Sequence, residues 1–519
     1  MGSHHEPISP FTVLADAKPD DSSLPAFMVS TTRGFLPRAD PIVTLPSEFD
    51  PLESILQCMP VKTSFCEPGL LASGKLGETV DAELPDLTPH IDKYAHDLPL
   101  MNALYRDYSF LASAYLLEPC HMRFVKGEEY GLGRDVLPAN IARPIYRCAK
   151  LTNFKPFMEY AGSYALYNYR LADPALGLDY SNLRLIRAFE HGLDPSSSEA
   201  GFVLVHIAMV SHSPLLISGV MDCLSPFTSP SSPPFSLLPP SSAPSPSTSS
   251  TQSRQTFNRG LSKMLSSLRL INAEMEKMWT RSRPRSYTSF RTFIFGITSQ
   301  SMFPSGVLYQ GIPEFADQPQ QFRGESGAND SMIPLTDNFL SIPMPDTPLT
   351  EILKDFREYR PSNHRGFIEW VKLVSDSLGL KHWALHGEGG KERQETRRLW
   401  IKLLDQVREF RWRHWCFAKE YILKQTSHPT ATGGSPIVTW LPNQLGAVLR
   451  EMERVYGSFG EGERKDLGGE EVEGIMDLVG RQKDMLDKEV RRYCEERGVV
   501  PSDEKREREV KRETAEVGV

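Results

Sequence analysis

Cysteine is scarce in this chain and never closely spaced. The seven residues Cys58, Cys66, Cys120, Cys148, Cys223, Cys416 and Cys494 stand in 519 positions without one CxxC pair. That excludes a disulfide-stapled scaffold and a cysteine-built structural zinc site. Phosphate-binding and hydrolytic signatures are missing as well: there is no P-loop, no GxGxxG after a strand, no HExxH and no GxSxG elbow. Positive charge is in deficit, with 58 Lys and Arg against 66 Asp and Glu, so nucleic acid is not an expected partner. The opening residues, MGSHHEPISPF, hold neither a basic stretch nor an apolar run. No secretory leader is expected from them, and the expected compartment is the reducing cytoplasm. Alternating strand patterns are rare.

What is present is a globular composition, 40% hydrophobic and 24% charged, in a chain long enough for three or four average domains. Two segments stand apart. Leu224–Arg254 has 8 Pro, 12 Ser and a single charge in 31 residues, and is expected to be a disordered excursion with no helix ladder. Gly457–Val519 has 31 charged residues in 63 and holds −5 of the net −8, as expected of a solvated or loosely helical tail. The first forty residues, rich in Pro, Asp and Ser, read as irregular.

Elsewhere helical spacing dominates. Phe257, Leu261, Met264, Leu268, Ile271, Met275 and Met278 alternate steps of four and three, as do Leu403, Val407, Phe410, His414, Phe417 and Tyr421. Arg106–Leu117 and Phe157–Leu171 are also read as helices, and the expected fold class is all-α. Gly201–Met221 is apolar enough to suggest a membrane span. His206, Ser211, His212, Ser213 and Pro214 within it favour a buried helix instead, and no membrane partner is expected.

Few residues carry obvious chemistry. His414 occupies a core position of its helical stripe. It is either a satisfied core histidine or a metal or haem ligand, since a neutral imidazole aimed into an apolar interior suits both. His206 shares a helix face with Phe202 and is open to the same two readings; His212, six residues on, lies on another face and cannot chelate with it. Arg291 sits among aromatic and aliphatic neighbours and needs an anion, either an internal carboxylate or a substrate carboxylate held bidentately. Two small-residue loops, Gly324–Ser331 and Thr430–Ser435, could approach a ligand closely or could be plain turns.

Taken in order, several blocks resemble the indoleamine 2,3-dioxygenase family of haem enzymes. They are Arg106-Asp-Tyr-Ser-Phe-Leu-Ala-Ser-Ala-Tyr115, Leu137-Pro, Ala142-Arg-Pro, Tyr160-Ala, Gly201-Phe and Arg291-Thr-Phe-Ile-Phe-Gly296. Further on come Gly306-Val-Leu-Tyr-Gln-Gly311, Phe322-Arg-Gly-Glu-Ser-Gly, Tyr359-Arg-Pro-Ser-Asn-His-Arg-Gly-Phe367, His414 with Tyr421-Ile, and Ala431-Thr-Gly-Gly-Ser435. The resemblance spans roughly residues 40–456. It implies an all-α fold with a small N-terminal domain, 41–155, packed on a large helical haem domain, 156–456, which the 224–254 excursion interrupts; the irregular segment 1–40 and the tail 457–519 flank the two.

The resemblance also implies roles. His414 would be the proximal ligand of haem b, and His206 the distal residue. Phe202, Tyr160 and Ser163 would line the substrate pocket, and Arg291 would bind the amino-acid carboxylate. Ser326 would lie over the haem edge and Thr432 in a closing loop; Arg411 and Asp337 would sit near a haem propionate. The implied reaction inserts both atoms of O2 across the indole C2=C3 bond of L-tryptophan or a related indole, giving an N-formylkynurenine-type product. That is the chemistry of tryptophan catabolism and the kynurenine pathway. An electron donor would keep the iron ferrous, and a monomer is expected. Departures stand at the pocket rim. Where the family loop resembles GGSAGQSS, this chain reads Gly324-Glu-Ser-Gly-Ala-Asn-Asp-Ser331, with two added carboxylates, and Ser286 replaces an expected aromatic beside Tyr287. They leave room for a divergent oxygenase of specialised metabolism acting on another amino acid or aromatic compound. A non-catalytic haem-binding or sensing protein is the remaining alternative.

Overall fold

The computed structural model describes residues 10–192, 194–228, 250–344, 348–388, 390–426, 428 and 430–499. The most deeply placed element is helix α1 (Leu98–Phe124), in which every residue from Leu100 to Leu117 is buried. Asp97 starts it by accepting the Leu100 N–H at 3.0 Å. Its buried charges are paired. Asp107 accepts from Arg106 at 2.7 Å and from Arg187 at 2.9 Å. Burial alone would raise the Asp107 carboxyl, but the two guanidiniums hold it down at about 2. Helix α2 (Ala139–Thr152) packs on α1.

The cavity-bearing half is a bundle built from α3 (Ser198–Val210), α4 (Ser213–Thr228), α5 (Ser250–Glu276), α6 (Pro284–Arg291), α7 (Met332–Phe339), α8 (Ser362–Ser377), α9 (Gly390–Phe417) and α10 (Ile437–Gly457). Helices α4 and α5 make its closest pair. Glycines permit this, since a Cβ on Gly219 would lie 2.7 Å from the Gly260 carbonyl oxygen. Sheet is minimal among the described residues. Strand β1 (Val136–Leu137) pairs in parallel with β4 (Leu308–Tyr309), and β2 (Tyr169–Leu171) pairs antiparallel with β3 (Leu183–Leu185). The class is all-α, as the periodicities indicate.

The apolar stretch Ser198–Phe227 has the length and hydropathy to cross a membrane, yet 67% of its most apolar window is buried inside the protein. The chain turns at Ser211 and His212, and the Ser213 hydroxyl receives the Phe35 N–H at 2.9 Å. Residues 10–40 are irregular, as expected, but organised. The Arg38 guanidinium donates to the carbonyls of Ala17, Lys18, Asp21, Leu24 and Pro25, gathering the segment around one buried cation.

Three local expectations change. The Ser/Pro tract is helical at both ends, where α4 runs to Thr228 and α5 begins at Ser250; residues 229–249 lie outside the described residues. Arg254, the tract's single charge, continues the Phe257 stripe by one helical step. It is buried, donating to the carbonyls of Glu388 (2.6 Å) and Trp383 (2.8 Å), with its guanidinium 4.1 Å from the Trp383 ring centre. Phe157–Leu171 is not one helix. Only Tyr160–Tyr164 coils, as a π-helical turn, and the chain then becomes β2. Glu159 captures the N–H groups of Ala161 and Gly162, which winds this short turn in place of a longer helix.

In the tail, α11 (Glu470–Arg497) is a docked helix and not only a solvated one. Val472, Val479, Leu486 and Tyr493 recur every seven residues and are buried, and the helix packs along α10. Charge on its other faces hides this stripe from composition. Residues 500–519 lie outside the described residues.

Candidate functional site

Two π-helical turns border one cavity. The first is Tyr160–Tyr164; the second, Ala418–Leu423, continues the end of α9. Such wide turns redirect side chains and recur at functional sites. The space between them is about 1110 Å³ counting its open mouth. Helix α3 contributes Phe202, His206 and Met209 to its wall, and α9 contributes Phe410, His414 and Phe417. Met275, Met278, Tyr287, Tyr421 and Trp440 add to the apolar lining, and the loops Glu325–Ala328 and Ala431–Thr432 close one side.

The two histidines are set differently. The His206 Nδ1 lies 2.8 Å from the Phe202 carbonyl oxygen. A carbonyl only accepts, so Nδ1 carries the proton and Nε2 keeps a free lone pair. Burial lowers the His206 pKa, so the ring is neutral at pH 7. Its ring is flanked edge-on by Phe202 at 5.0 Å and Tyr160 at 5.7 Å. His414 enters from α9, and neither of its ring nitrogens has a hydrogen-bond partner among the described residues. Burial, with His206 and Arg411 close enough to add to the effect, lowers its pKa to about 4. A neutral, unbonded imidazole is a ready axial ligand.

The loops are pinned by side chains from several elements. The Thr432 hydroxyl donates to the Glu325 carbonyl at 2.7 Å, and Arg360 donates to the carbonyls of Asp330 and Ala328. Gly433 makes the approach possible: a Cβ there would lie 2.7 Å from the Phe356 ring and 3.2 Å from the Ser326 Cβ. Gly434 follows at φ +83°, a left-handed conformation that favours glycine. Asp330 accepts the N–H groups of Met332 and Ile333 at the start of α7. Glu325 has no such bond. Its Oε1 is buried without a partner, and burial pushes its carboxyl up to about 8.

Of the residues singled out in the sequence, Tyr160, Phe202, His206, Ser326, His414 and Thr432 share this cavity wall. Ser163 does not. Its hydroxyl is occupied by the Glu159 backbone, donating to the carbonyl at 2.7 Å and receiving the N–H at 2.9 Å. Arg291 is fully buried one helical turn after cavity-lining Tyr287, without itself lining the cavity. Its Nη2 donates to the Thr430 carbonyl at 2.8 Å, while Nε and Nη1 have no acceptor. Arg411 pairs with Asp337 at 2.6 Å, leaving the Arg411 Nη1 and Asp337 Oδ1 without partners. Tyr287 supplies the aromatic that Ser286 lacks, with its ring 5.3 Å from Phe202. Trp440 and Arg360 were missed by sequence reasoning. Trp440 has no periodic partner to mark it, and Arg360 acts only through backbone carbonyls that folding brings to it.

Among the described residues no group of three His, Cys, Asp or Glu could hold a bare metal ion. Iron at His414 would therefore take its remaining ligands from a macrocycle, and the unbonded imidazole facing an apolar cavity fits one. The all-helical fold and this arrangement suit a haem-dependent oxygenase. The chain belongs to the indoleamine 2,3-dioxygenase family, whose family model matches residues 23–444. It is 25% identical to indoleamine 2,3-dioxygenase 1 of Mus musculus over 340 residues, covering 64% of this chain and 70% of that protein. It is 24% identical to indoleamine 2,3-dioxygenase nanC of Aspergillus nanangensis over 378 residues, 72% of this chain and 80% of that one. With indoleamine 2,3-dioxygenase acdA of Aspergillus candidus it shares 24% over 447 residues, 82% and 96% of the two chains.

Proposed function

We propose that this enzyme is a dioxygenase acting on L-tryptophan or a related indole, with haem b held by His414 and O2 as co-substrate. The observation that carries the reading is the neutral, unbonded His414 imidazole on the wall of an apolar cavity that His206 also lines. Bound haem supplies the activation of O2 that no side chain can provide. The protein's own groups bind, orient and exclude water. The free lone pair of His206 Nε2 accepts the indole N–H, and Phe202, Tyr160 and Tyr287 pack the ring. The unsatisfied N–H groups of Arg291 take the carboxylate, and the spare N–H of Arg411 serves a haem propionate. The glycine-containing loop 430–435 keeps water out. An electron donor, a monomeric state and a cytoplasmic location complete the proposal; all seven cysteines are free, as suits a reducing compartment.

The test is turnover. Reduced, haem-loaded protein is given L-tryptophan under O2, and N-formylkynurenine is measured. Normal haem loading with no product from L-tryptophan removes the tryptophan assignment. His414→Ala is expected to lose axial ligation, read in the Soret band; unchanged ligation in that variant would overturn the ligand assignment. Glu325 favours a second reading, because a carboxyl stands where the family loop resembles GGSAGQSS: an oxygenase of the same kind whose substrate is a different amino acid or aromatic compound in specialised metabolism.

A further inference from the structure

Two acidic side chains reach the cavity wall, and they are bonded in opposite ways. Asp330 is spent on the backbone at the start of α7, where its Oδ2 accepts two N–H groups at 3.0 and 3.1 Å. Glu325 is 2% exposed, lines the cavity, and keeps Oε1 buried without a hydrogen bond or an ion pair. An unsatisfied buried carboxyl is costly, so an unpaired one on a cavity wall calls for a ligand that pairs it.

The residue is held in place for this. Thr432 fixes the Glu325 carbonyl at 2.7 Å, and two residues earlier on the same loop the Thr430 carbonyl accepts from Arg291 at 2.8 Å. Tyr287, on the cavity wall, stands one helical turn before Arg291. Arg291 and Glu325 are thus both anchored to one short loop, at Thr430 and Thr432, yet do not pair with each other. A ligand in the cavity that carries an ammonium would satisfy Glu325. An α-amino acid does so, its ammonium offering three donors.

We propose that Glu325 is a specificity-determining residue that binds the ammonium group of the substrate, so that the site selects amine-bearing ligands over their des-amino counterparts. The inference rests on the reading of the cavity as the substrate site of a haem-dependent dioxygenase. It assigns a task to the carboxyl by which this loop departs from the family pattern.

The probes are L-tryptophan, tryptamine and indole-3-propionate, titrated into the ferric haem-loaded protein and read by the ligand-induced Soret shift. Glu325→Gln keeps the shape and removes the carboxyl's capacity to ionise against an ammonium. It is expected to weaken L-tryptophan and tryptamine about ten- to hundred-fold and to leave indole-3-propionate within about twofold. Glu325→Asp, which keeps the carboxyl, is expected to retain part of the preference for the amines. The resting Soret band and melting temperature of each variant confirm an intact holoprotein. Equal weakening of all three ligands, or of none, overturns the role of Glu325 while leaving the dioxygenase reading in place. A wild-type protein whose Soret band responds to none of the three, and which forms no product from L-tryptophan, overturns both.

Discussion

At the scale of single residues, the site is marked by groups whose bonding is incomplete. Arg291 is buried with two N–H-bearing nitrogens unsatisfied and no carboxylate at ion-pair distance among the described residues. Arg291→Lys keeps the charge but loses the planar fork, so KM for L-tryptophan is expected to rise about tenfold or more while the Soret band of the resting protein is unchanged. A KM equal to wild type would remove the arginine from carboxylate binding. Glu325 allows a stability prediction. The titratable groups facing it are Glu159, which caps the first π-helical turn, Tyr160 and Tyr164 within that turn, and Tyr287 of α6. Its carboxyl is raised by burial from 4.5 to about 8, so the folded state holds a proton that the unfolded chain releases above 4.5. Stability is therefore lost progressively as pH rises from about 4.5 to about 8, on the order of a few kcal/mol in all. Glu325→Gln is expected to melt above wild type at pH 8, with the difference shrinking at pH 5. A variant that melts lower than wild type at both pH values would contradict this.

At the scale of elements, spacing was the most legible signal. The stripes through Phe257 and Leu403 became buried faces of α5 and α9, and their far ends, Met275, Met278, His414 and Tyr421, turned into cavity wall. Periodicity could not separate a core position from a cavity position, because both present apolar groups at the same spacing. That is why spacing alone leaves His414 open to two readings. Phe157–Leu171 misled because apolar content is shared by helices and by buried irregular chain, whereas Glu159 capping its own turn is a local hydrogen-bond choice. In α11 a seven-residue apolar repeat was masked by surrounding charge. This helix supports α9 directly: Glu489 accepts from Trp415 Nε1 at 2.7 Å, beside His414, and pairs with Lys419 at 2.8 Å. Leu486→Ala, in the buried stripe, is expected to destabilise the protein by about 2–5 kcal/mol, read by denaturant titration. A cost near zero would mean that α11 is not docked.

At the scale of the whole molecule, the bundle tolerates a long interruption because of where it falls. Gly219 of α4 meets Gly260 of α5, and the two helices continue from that contact for similar lengths to Thr228 and from Ser250. Their ends are thus matched across the hairpin, and a short connection can join them. Replacing residues 229–249 by a linker of about six Gly and Ser residues is expected to preserve haem loading and shift the melting temperature by only a few degrees. Loss of haem binding would show that the tract has a structural task. Sequence alone determined the helical class, the candidate histidines and, through ordered blocks, the family resemblance, because helix periodicity and motif order are written along the chain. It also identified the extra loop carboxylates. Only the tertiary structure decided which side chains share a cavity and which are left unsatisfied there. Ser163 and Glu325 differ in this respect because Ser163 meets the Glu159 backbone four residues away. Arg291 and the Glu325 backbone are instead held by Thr430 and Thr432, more than a hundred residues on in sequence, which only folding brings to them.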